Sequence, residues 1–234
     1  MLTYPFTRSG FPIVVVGMLI IIASNYATHL AVVGQVGWIL AMIYLSALYF
    51  ELISLSATDQ EELYCFPDLS DFAEDILFPA LKVFGAILIS LAPLIAWKIW
   101  GNPDETYSRT FELIGVAWAA LYFPMAMLAT VVFGTLMGAS PHVVIPAILR
   151  SGPLYLVTSG LILGLACAEL FSASFLVGPA WLAQIAAAFL VLYILMASAR
   201  ALGLFYILKE DQLQWFYEFE EERDEEDEKA SSPV

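Results

Sequence analysis

The sequence predicts an all-α integral membrane protein: a bundle of about six transmembrane helices with short cytoplasmic interfacial helices and an acidic C-terminal tail. Three observations support this fold class. Of the 234 residues, 61% are hydrophobic and 14% are charged, whereas a typical soluble domain is about 25% charged. The apolar residues fall into blocks that approach or exceed the about 20 residues needed to cross a bilayer. The net charge of −14 is confined to two short stretches.

Six apolar blocks are predicted to be membrane spans. In chain order they cover roughly residues 10–27, 30–55, 77–100, 111–138, 153–176 and 180–208. The first two are so close together that one broken hairpin is an alternative interpretation. The first block also resembles the apolar part of a signal peptide, but it lacks an A-x-A cleavage site and another apolar block follows at once. We therefore predict that it is a retained helix.

The basic residues predict the orientation of the bundle, because Lys and Arg concentrate on the cytoplasmic side of membrane proteins. With six spans, seven of the nine basic residues fall on the side of the two termini, and only Lys98 and Arg109 fall on the other side. Five of the six tryptophans fall toward the opposite, outer ends of their spans, as in an aromatic belt. The sequence therefore predicts cytoplasmic N- and C-termini.

Two acidic stretches account for the whole net charge. Residues 56–76 contain seven acids and no Lys or Arg, and residues 218–229 contain nine acids against two bases. We predict a transmembrane domain over 1–209 and a cytoplasmic tail over 210–234, whose last part is too polar to order itself alone. The acidity excludes binding to nucleic acid, which attracts basic patches, and the chain has no polybasic stretch for anionic lipid.

The first acidic stretch contains a predicted amphipathic helix. Its apolar residues Phe72, Ile76 and Leu77 fall on one helical face and its acids fall on the other. Asp or Ser before this segment is a suitable N-cap for a helix with acids in its first turn. We expect the helix to lie along the cytoplasmic interface before the chain turns into the third span.

A second short helix is predicted after the fourth span. Ser140 is a suitable N-cap and Pro141 suits the first helical position, while Gly152 and the proline after it end the helix after Arg150. The segment is too short to cross a bilayer. The sequence therefore predicts a short cytoplasmic interfacial helix.

Charged residues inside the apolar blocks have two interpretations each. Glu169 in the fifth span is either a proton or cation site, or an acid near the outer interface that pairs with Lys98 or Arg109. Glu51 and Arg200, near the inner ends of spans two and six, are predicted to form an interhelical ion pair. The alternative for Arg200 is that its side chain extends to the cytoplasmic interface.

Motifs of catalysis are absent from the sequence. It has no HExxH, no phosphate-binding GxxxxGK and no GxSxG, and no Cys or His cluster suggests a metal. We therefore predict no enzymatic activity, no cofactor and no metal site. Pro93 and Pro124 are expected to kink spans three and four, and a transport cavity beside the kinks is the functional alternative.

Four stretches together resemble a known group of membrane proteins. They are FPDLSDFAEDILFPAL at 66–81, LYFPMAMLATVVFG at 121–134, PHVVIPAILRSGPLYL at 141–156 and RALGLFYILKEDQLQWF at 200–216. The pattern resembles bacterial multi-pass membrane proteins of unknown function and is loosely similar to Yip-type integral membrane proteins. The resemblance implies a helical bundle in the bacterial inner membrane and brings no established activity with it.

These observations favour a non-enzymatic accessory or scaffold subunit of a larger membrane complex. Its expected neighbours are the lipid bilayer and other membrane protein subunits with a basic cytoplasmic surface. The residues predicted to dock such a partner are aromatic and acidic residues of the tail: Trp215, Phe216, Tyr217, Phe219, Glu220, Glu221 and Glu222. The alternative is a small-molecule or ion permease with Glu169 near its pathway.

Overall fold

The computed structural model describes residues 10–27, 31–58, 71–100, 105–175, 180–213 and 215, and every regular element among them is a helix. The α-helices are α1 (Gly10–Ala27), α2 (Ala31–Ala57), α3 (Phe78–Trp100), α4 (Glu105–Phe133), α5 (Pro141–Ser151), α6 (Pro153–Phe175) and α7 (Ala180–Leu213). A π-helical turn, Phe72–Leu77, precedes α3, and a 3-10 turn, Leu136–Ala139, separates α4 from α5. The prediction of an all-helical fold is confirmed.

Several helices are suited to a bilayer. Four helical stretches of the described chain are long and apolar enough to cross it: Gly34–Ala57, Phe72–Trp100, Arg109–Phe133 and Leu182–Leu213. Helices α5 and α6 meet the same criterion together, although the chain bends by 108° between them. The described residues therefore form four helices able to span a membrane, or five if the bent pair is one span. Helix α1 contains an apolar stretch, Pro12–Ser24, that is shorter than these four.

Helices α2 and α7 form the most extensive packing contact among the described helices. Gly203 allows it, because a Cβ added there would lie 2.2 Å from the Cβ of Ser56. Seven residues earlier on α2 and five residues earlier on α7, the hydroxyl of Tyr49 is hydrogen-bonded to Ser198. Both contacts advance along the two helices in the same direction, so α2 and α7 are parallel.

The other helices pack around this pair. Gly17 of α1 lies against Leu192 of α7, and α6 packs on α7 through the rings of Tyr155 and Phe205, whose centroids are 5.7 Å apart. Helices α3 and α4 form an antiparallel hairpin. Near its closed end, Trp97 stacks on Phe111 with ring centroids 4.0 Å apart.

The end of α4 differs from the prediction. The fourth span was expected to continue to residue 138, but Gly134 has a φ of +64°, a backbone conformation that favours glycine and ends the helix. The 3-10 turn then folds back along α4, where Gly138 lies against the backbone of Ala129. The expected short helix after Ser140 is confirmed as α5, and Gly152, also at a φ of +64°, separates it from α6.

The acidic turn, defined here as Asp71 to Asp75 at the start of the π-helical segment, also differs from the prediction. This segment was predicted to form a separate interfacial helix before the third span. It instead continues directly into α3, because Phe72–Trp100 is one continuous helical stretch. Ile76 is fully buried, and Phe72 and Ile76 line a pocket together with Leu40 and Tyr44 of α2. The apolar face of this segment is therefore turned toward the first half of α2, which buries Ile76 but leaves Phe72 exposed.

Two glycines of α6 that are four residues apart, a spacing that can allow close packing of membrane helices, face open space. A Cβ added at Gly160 or Gly164 of α6 would meet no atom within 4 Å. Neighbouring apolar side chains of the same helix, such as those of Val157 and Leu161, are exposed. The GxxxG motif of α6 therefore makes no helix contact within the described part of the chain.

Replacing Gly203 with Ala is expected to destabilise the bundle, because the new Cβ forces α2 and α7 apart. Overpacking of this kind costs about 1–3 kcal/mol. Gly164→Ala is the matched control, since it changes helix propensity in the same way but adds a methyl group to open space. Thermal unfolding of both purified variants in detergent measures the difference. Equal midpoints would contradict the close contact.

Candidate functional site

Lys98 forms the ion pair of the α3–α4 hairpin, and its partner is Glu112. Both side chains are exposed to a large extent, so the pair contributes little to stability. One of the two interpretations of Glu169 in α6 was an ion pair with Lys98 or Arg109. The structure gives Lys98 a different carboxylate, and α3 and α6 do not pack together within the described residues.

The position of Glu169 along the bundle follows from the contacts between α4 and α6. Tyr155 donates a hydrogen bond to the carbonyl of Leu121, and Ser159 donates one to the carbonyl of Ala120 at 3.1 Å. These contacts show that α4 and α6 are antiparallel. Glu169, ten residues after Ser159 on α6, therefore lies near the level of Thr110, ten residues before Ala120 on α4. The backbone of Glu169 thus lies near the start of α4, while its side chain is outside the described atoms.

Glu51 and Arg200 lie at one level of the bundle. Glu51 is two residues after Tyr49 on α2, and Arg200 is two residues after Ser198 on α7. Since Tyr49 is hydrogen-bonded to Ser198, the parallel register brings both charges to the same height. Both side chains are half-buried and engaged in interactions. The ion pair between them stays a prediction that this register supports.

The interior of the bundle holds only small polar side chains. All seven buried polar residues in the described part are Ser or Thr. Several satisfy their hydroxyls within their own helix, as Ser90 does on Ala86 and Thr130 does on Ala126, each at 2.7 Å. The described residues include no group of three or more His, Cys, Asp or Glu side chains able to hold a metal ion.

The acidic turn is the clearest concentration of charge in the described chain. Asp71, Glu74 and Asp75 are all exposed, and the carbonyl of Asp71 accepts hydrogen bonds from the N–H groups of the other two. The nearest base along the chain, Lys82, lies over the ring of Phe50, with Nζ 5.2 Å from its centroid. No salt bridge to these three acids occurs in the described residues.

Trp215 lies inside the bundle and is 6% exposed. Its indole packs on Phe133 of α4 and Tyr206 of α7, with ring centroids 5.3 and 6.1 Å away. The prediction that Trp215 is an exposed anchor for a partner is therefore corrected, because contacts within the chain already cover the ring. The other predicted docking residues lie outside the described part: Phe216, Tyr217, Phe219, Glu220, Glu221 and Glu222.

The acidic turn and Trp215 lie beside different parts of the bundle. The acidic turn adjoins Leu40 and Tyr44 of α2 through Phe72. Trp215 adjoins Tyr206, which is three residues beyond the contact of Gly203 with Ser56. Twelve residues of α2 separate Tyr44 from Ser56, or roughly 18 Å along a helix. The other acids of the two acidic stretches, at 59–70 and 218–229, lie outside the described residues.

The turn between α4 and α5 is a compact structural feature that the sequence did not predict. The hydroxyl of Tyr122 donates a hydrogen bond of 2.6 Å to the carbonyl of Ala139, and Ser140 donates one to the carbonyl of Met137. A pocket of about 570 Å³ opens beside it, lined by Val132, Phe133, Thr135, Met137, Gly138, His142 and Val143. The available sequence signal was the pair of glycines at 134 and 138 just before a helix start.

These features define the class of the protein: an all-helical, multi-pass membrane protein with an apolar interior and an exposed acidic turn. Comparison with known protein-family models gives no match. Searches of curated proteins and of solved structures likewise find no protein that matches this chain. Its function is therefore argued from its own residues.

Replacing Tyr122 with Phe is expected to loosen the α4–α5 turn, because it leaves the buried carbonyl of Ala139 without its donor. The expected loss of unfolding free energy is about 1–3 kcal/mol. Thr158→Val is the control, since its exposed hydroxyl bonds only to Leu154 within one helical turn. Limited proteolysis near residue 135 should accelerate in the Tyr122 variant alone. Unchanged cleavage and stability would refute this role of the hydroxyl.

Proposed function

We propose that the protein is a non-enzymatic accessory subunit of a larger membrane assembly and that the acidic turn is one of its docking elements. The observation that carries the proposal is the setting of Asp71, Glu74 and Asp75. They are exposed, no cation pairs with them in the described chain, and their neighbours Phe72 and Ile76 share a pocket with apolar residues of α2. A basic segment of a partner subunit fits this surface.

The free-energy cost of exposing a carboxylate to hydrocarbon supports the proposal that a partner covers the acidic turn. At about 1.5 Å per residue, Leu40 and Tyr44 lie roughly 14 and 20 Å beyond the start of α2 at Ala31. An acid at such a depth costs about 2.5–3.5 kcal/mol when it faces hydrocarbon on translocon-insertion scales. Pairing with a cation or contact with water removes that cost, so the turn favours a partner's Lys or Arg as its neighbour.

The tail supplies a second proposed contact on the cytoplasmic side. Residues 218–229 hold nine acids and two bases, and aromatic residues precede them at 216, 217 and 219. Charge alone acts over only about 8 Å at physiological salt, while aromatic anchors add affinity at interfaces. A basic cytoplasmic surface of another subunit is the partner we propose for this tail.

Six spans in a bacterial inner membrane, with both termini in the cytoplasm, belong to the same proposal. The parallel packing of α2 and α7 supports an alternating arrangement, since an odd number of crossings must separate two parallel spans. Helix α3, helix α4 and the α5–α6 pair supply three. The start of α3 is the exception. Ile76 lies beside Tyr44 and Lys82 lies over Phe50, so the contacts advance along α2 and α3 in the same direction, whereas alternating spans run in opposite directions.

A permease is the second candidate, and the break between α4 and α6 favours it. Transporters use interrupted helices to line their binding sites, and a pocket of about 570 Å³ adjoins this turn. The predicted pathway residue is less well placed. The register of α4 and α6 sets the backbone of Glu169 near the level of Thr110, far from that turn along α4.

The docking proposal predicts that neutralising the acidic turn releases a partner. The variant combines Asp71→Asn, Glu74→Gln and Asp75→Asn, and Glu112→Gln is the control for an exposed carboxylate elsewhere. Affinity purification in mild detergent should recover partner chains with wild type and control at low salt, but not with the triple variant. Recovery should also fall near 1 M salt, where the Debye length is about 3 Å. A wild-type protein that purifies alone from native membranes would refute the proposal.

The two candidate functions differ in the result expected for Glu169→Gln. In proteoliposomes with an internal pH dye and an imposed K⁺ gradient, an accessory subunit should give no proton flux above protein-free vesicles, with or without the substitution. A permease with Glu169 on its pathway should give a flux that the substitution abolishes. Such a flux, lost in Glu169→Gln and kept in Glu112→Gln, would replace the docking proposal with the transport one.

A further inference from the structure

A second pocket lies between α1, α2 and the π-helical turn. It adjoins the acidic turn through Phe72, but the binding site inferred from it rests on Ser24 of α1 and not on the acids of the turn. Its volume is about 430 Å³, within the range of about 300–1,000 Å³ that is typical of ligand sites. The lining is almost entirely apolar: Ile20, Ala23, Ser24, Gly37, Leu40, Ala41, Tyr44, Phe72 and Ile76. A chain of CH₂ groups suits such a lining better than a polar solute does.

Ser24 is the polar exception in this pocket. It is 7% exposed, and its Oγ is buried with no hydrogen-bond partner in the described protein. A buried hydroxyl without an acceptor costs about 1–3 kcal/mol. Tyr44 contributes a second hydroxyl-bearing side chain to the lining. The pocket thus offers O–H donors to a ligand that carries an acceptor.

The pocket opens toward the lipid-facing surface near one end of the α1–α2 pair. Ala23, Leu40 and Phe72 are exposed, so its mouth is apolar. Ser24 is three residues, or roughly 5 Å, before the end of α1. Because α1 has 18 residues, close to the length that crosses the hydrocarbon core, its last turn corresponds to the boundary between lipid headgroups and acyl chains.

We propose that this pocket binds one acyl chain of an ester-linked membrane lipid, with the ester carbonyl accepting a hydrogen bond from Ser24. The apolar lining and the lipid-facing mouth select a molecule that arrives from the bilayer. The shallow position of Ser24 matches the depth of an ester group. The hydroxyl matches a carbonyl acceptor, which an ether-linked chain lacks.

A matched pair of phospholipids tests the proposal: a diester and its diether analogue with identical headgroup and chain length. The full-length protein is delipidated in detergent, incubated with an equal mixture of the two lipids, and examined by native mass spectrometry. Ser24→Ala removes the donor, Ala23→Leu narrows the exposed mouth, and Thr110→Val is a control for an exposed hydroxyl elsewhere. Thermal unfolding shows that each variant is folded.

Wild type and Thr110→Val should retain the diester lipid roughly threefold to tenfold better than the diether lipid, the range of one hydrogen bond. Ser24→Ala should lose that preference while still binding lipid, and Ala23→Leu should retain less of both. Equal retention of the two lipids by wild type would show lipid association without the carbonyl contact and would overturn the proposal. Unchanged binding in the folded Ala23→Leu variant would overturn the assignment to this pocket.

Discussion

The contact between α2 and α7 is the constraint on which the described bundle depends. In a bilayer, helices gain no hydrophobic free energy by associating, so close backbone packing at small residues becomes important. Gly203 supplies this packing against Ser56, and its missing side chain sets the distance between the two helices. Once this pair is fixed as parallel, α1 is held through Gly17 on α7 and α6 through Tyr155 on Phe205.

Close packing of this kind restricts which polar groups the interior accepts. The buried polar side chains are hydroxyls, and residues such as Ser90, Thr130 and Ser151 satisfy theirs on the preceding turn of their own helix. A hydroxyl bonded in this way requires no partner helix and leaves no charge in the apolar interior. Most charged groups of the described chain lie at helix ends and exposed faces, as Lys98, Glu112 and the acidic turn do, whereas Glu51 of α2 and Arg200 of α7 are half-buried.

The sequence predicted the helices well because each apolar block is long and uninterrupted. It also predicted both ends of α5 from local signals. Ser140 followed by a proline marks the start of the helix, and Gly152 followed by a proline marks its end. The sequence missed the end of α4 at Gly134, because glycine is also common inside membrane helices, so Gly134 alone does not distinguish a helix end from a helix interior. The burial of Trp215 was missed for a different reason: an aromatic residue beside an acidic tail resembles a binding anchor until its neighbours Phe133 and Tyr206 are known.

The position of the acidic turn bears on the partner proposed for it. Phe72 and Ile76 share a pocket with Tyr44, which lies roughly 18 Å along α2 from Ser56 and its contact with Gly203. The exposed acids of the turn therefore lie at the flank of the bundle and not at the C-terminal end of α2. The proposed partner needs a basic group that reaches this flank. A membrane-embedded subunit meets this requirement better than a soluble protein, because the flanking helices are apolar and exposed.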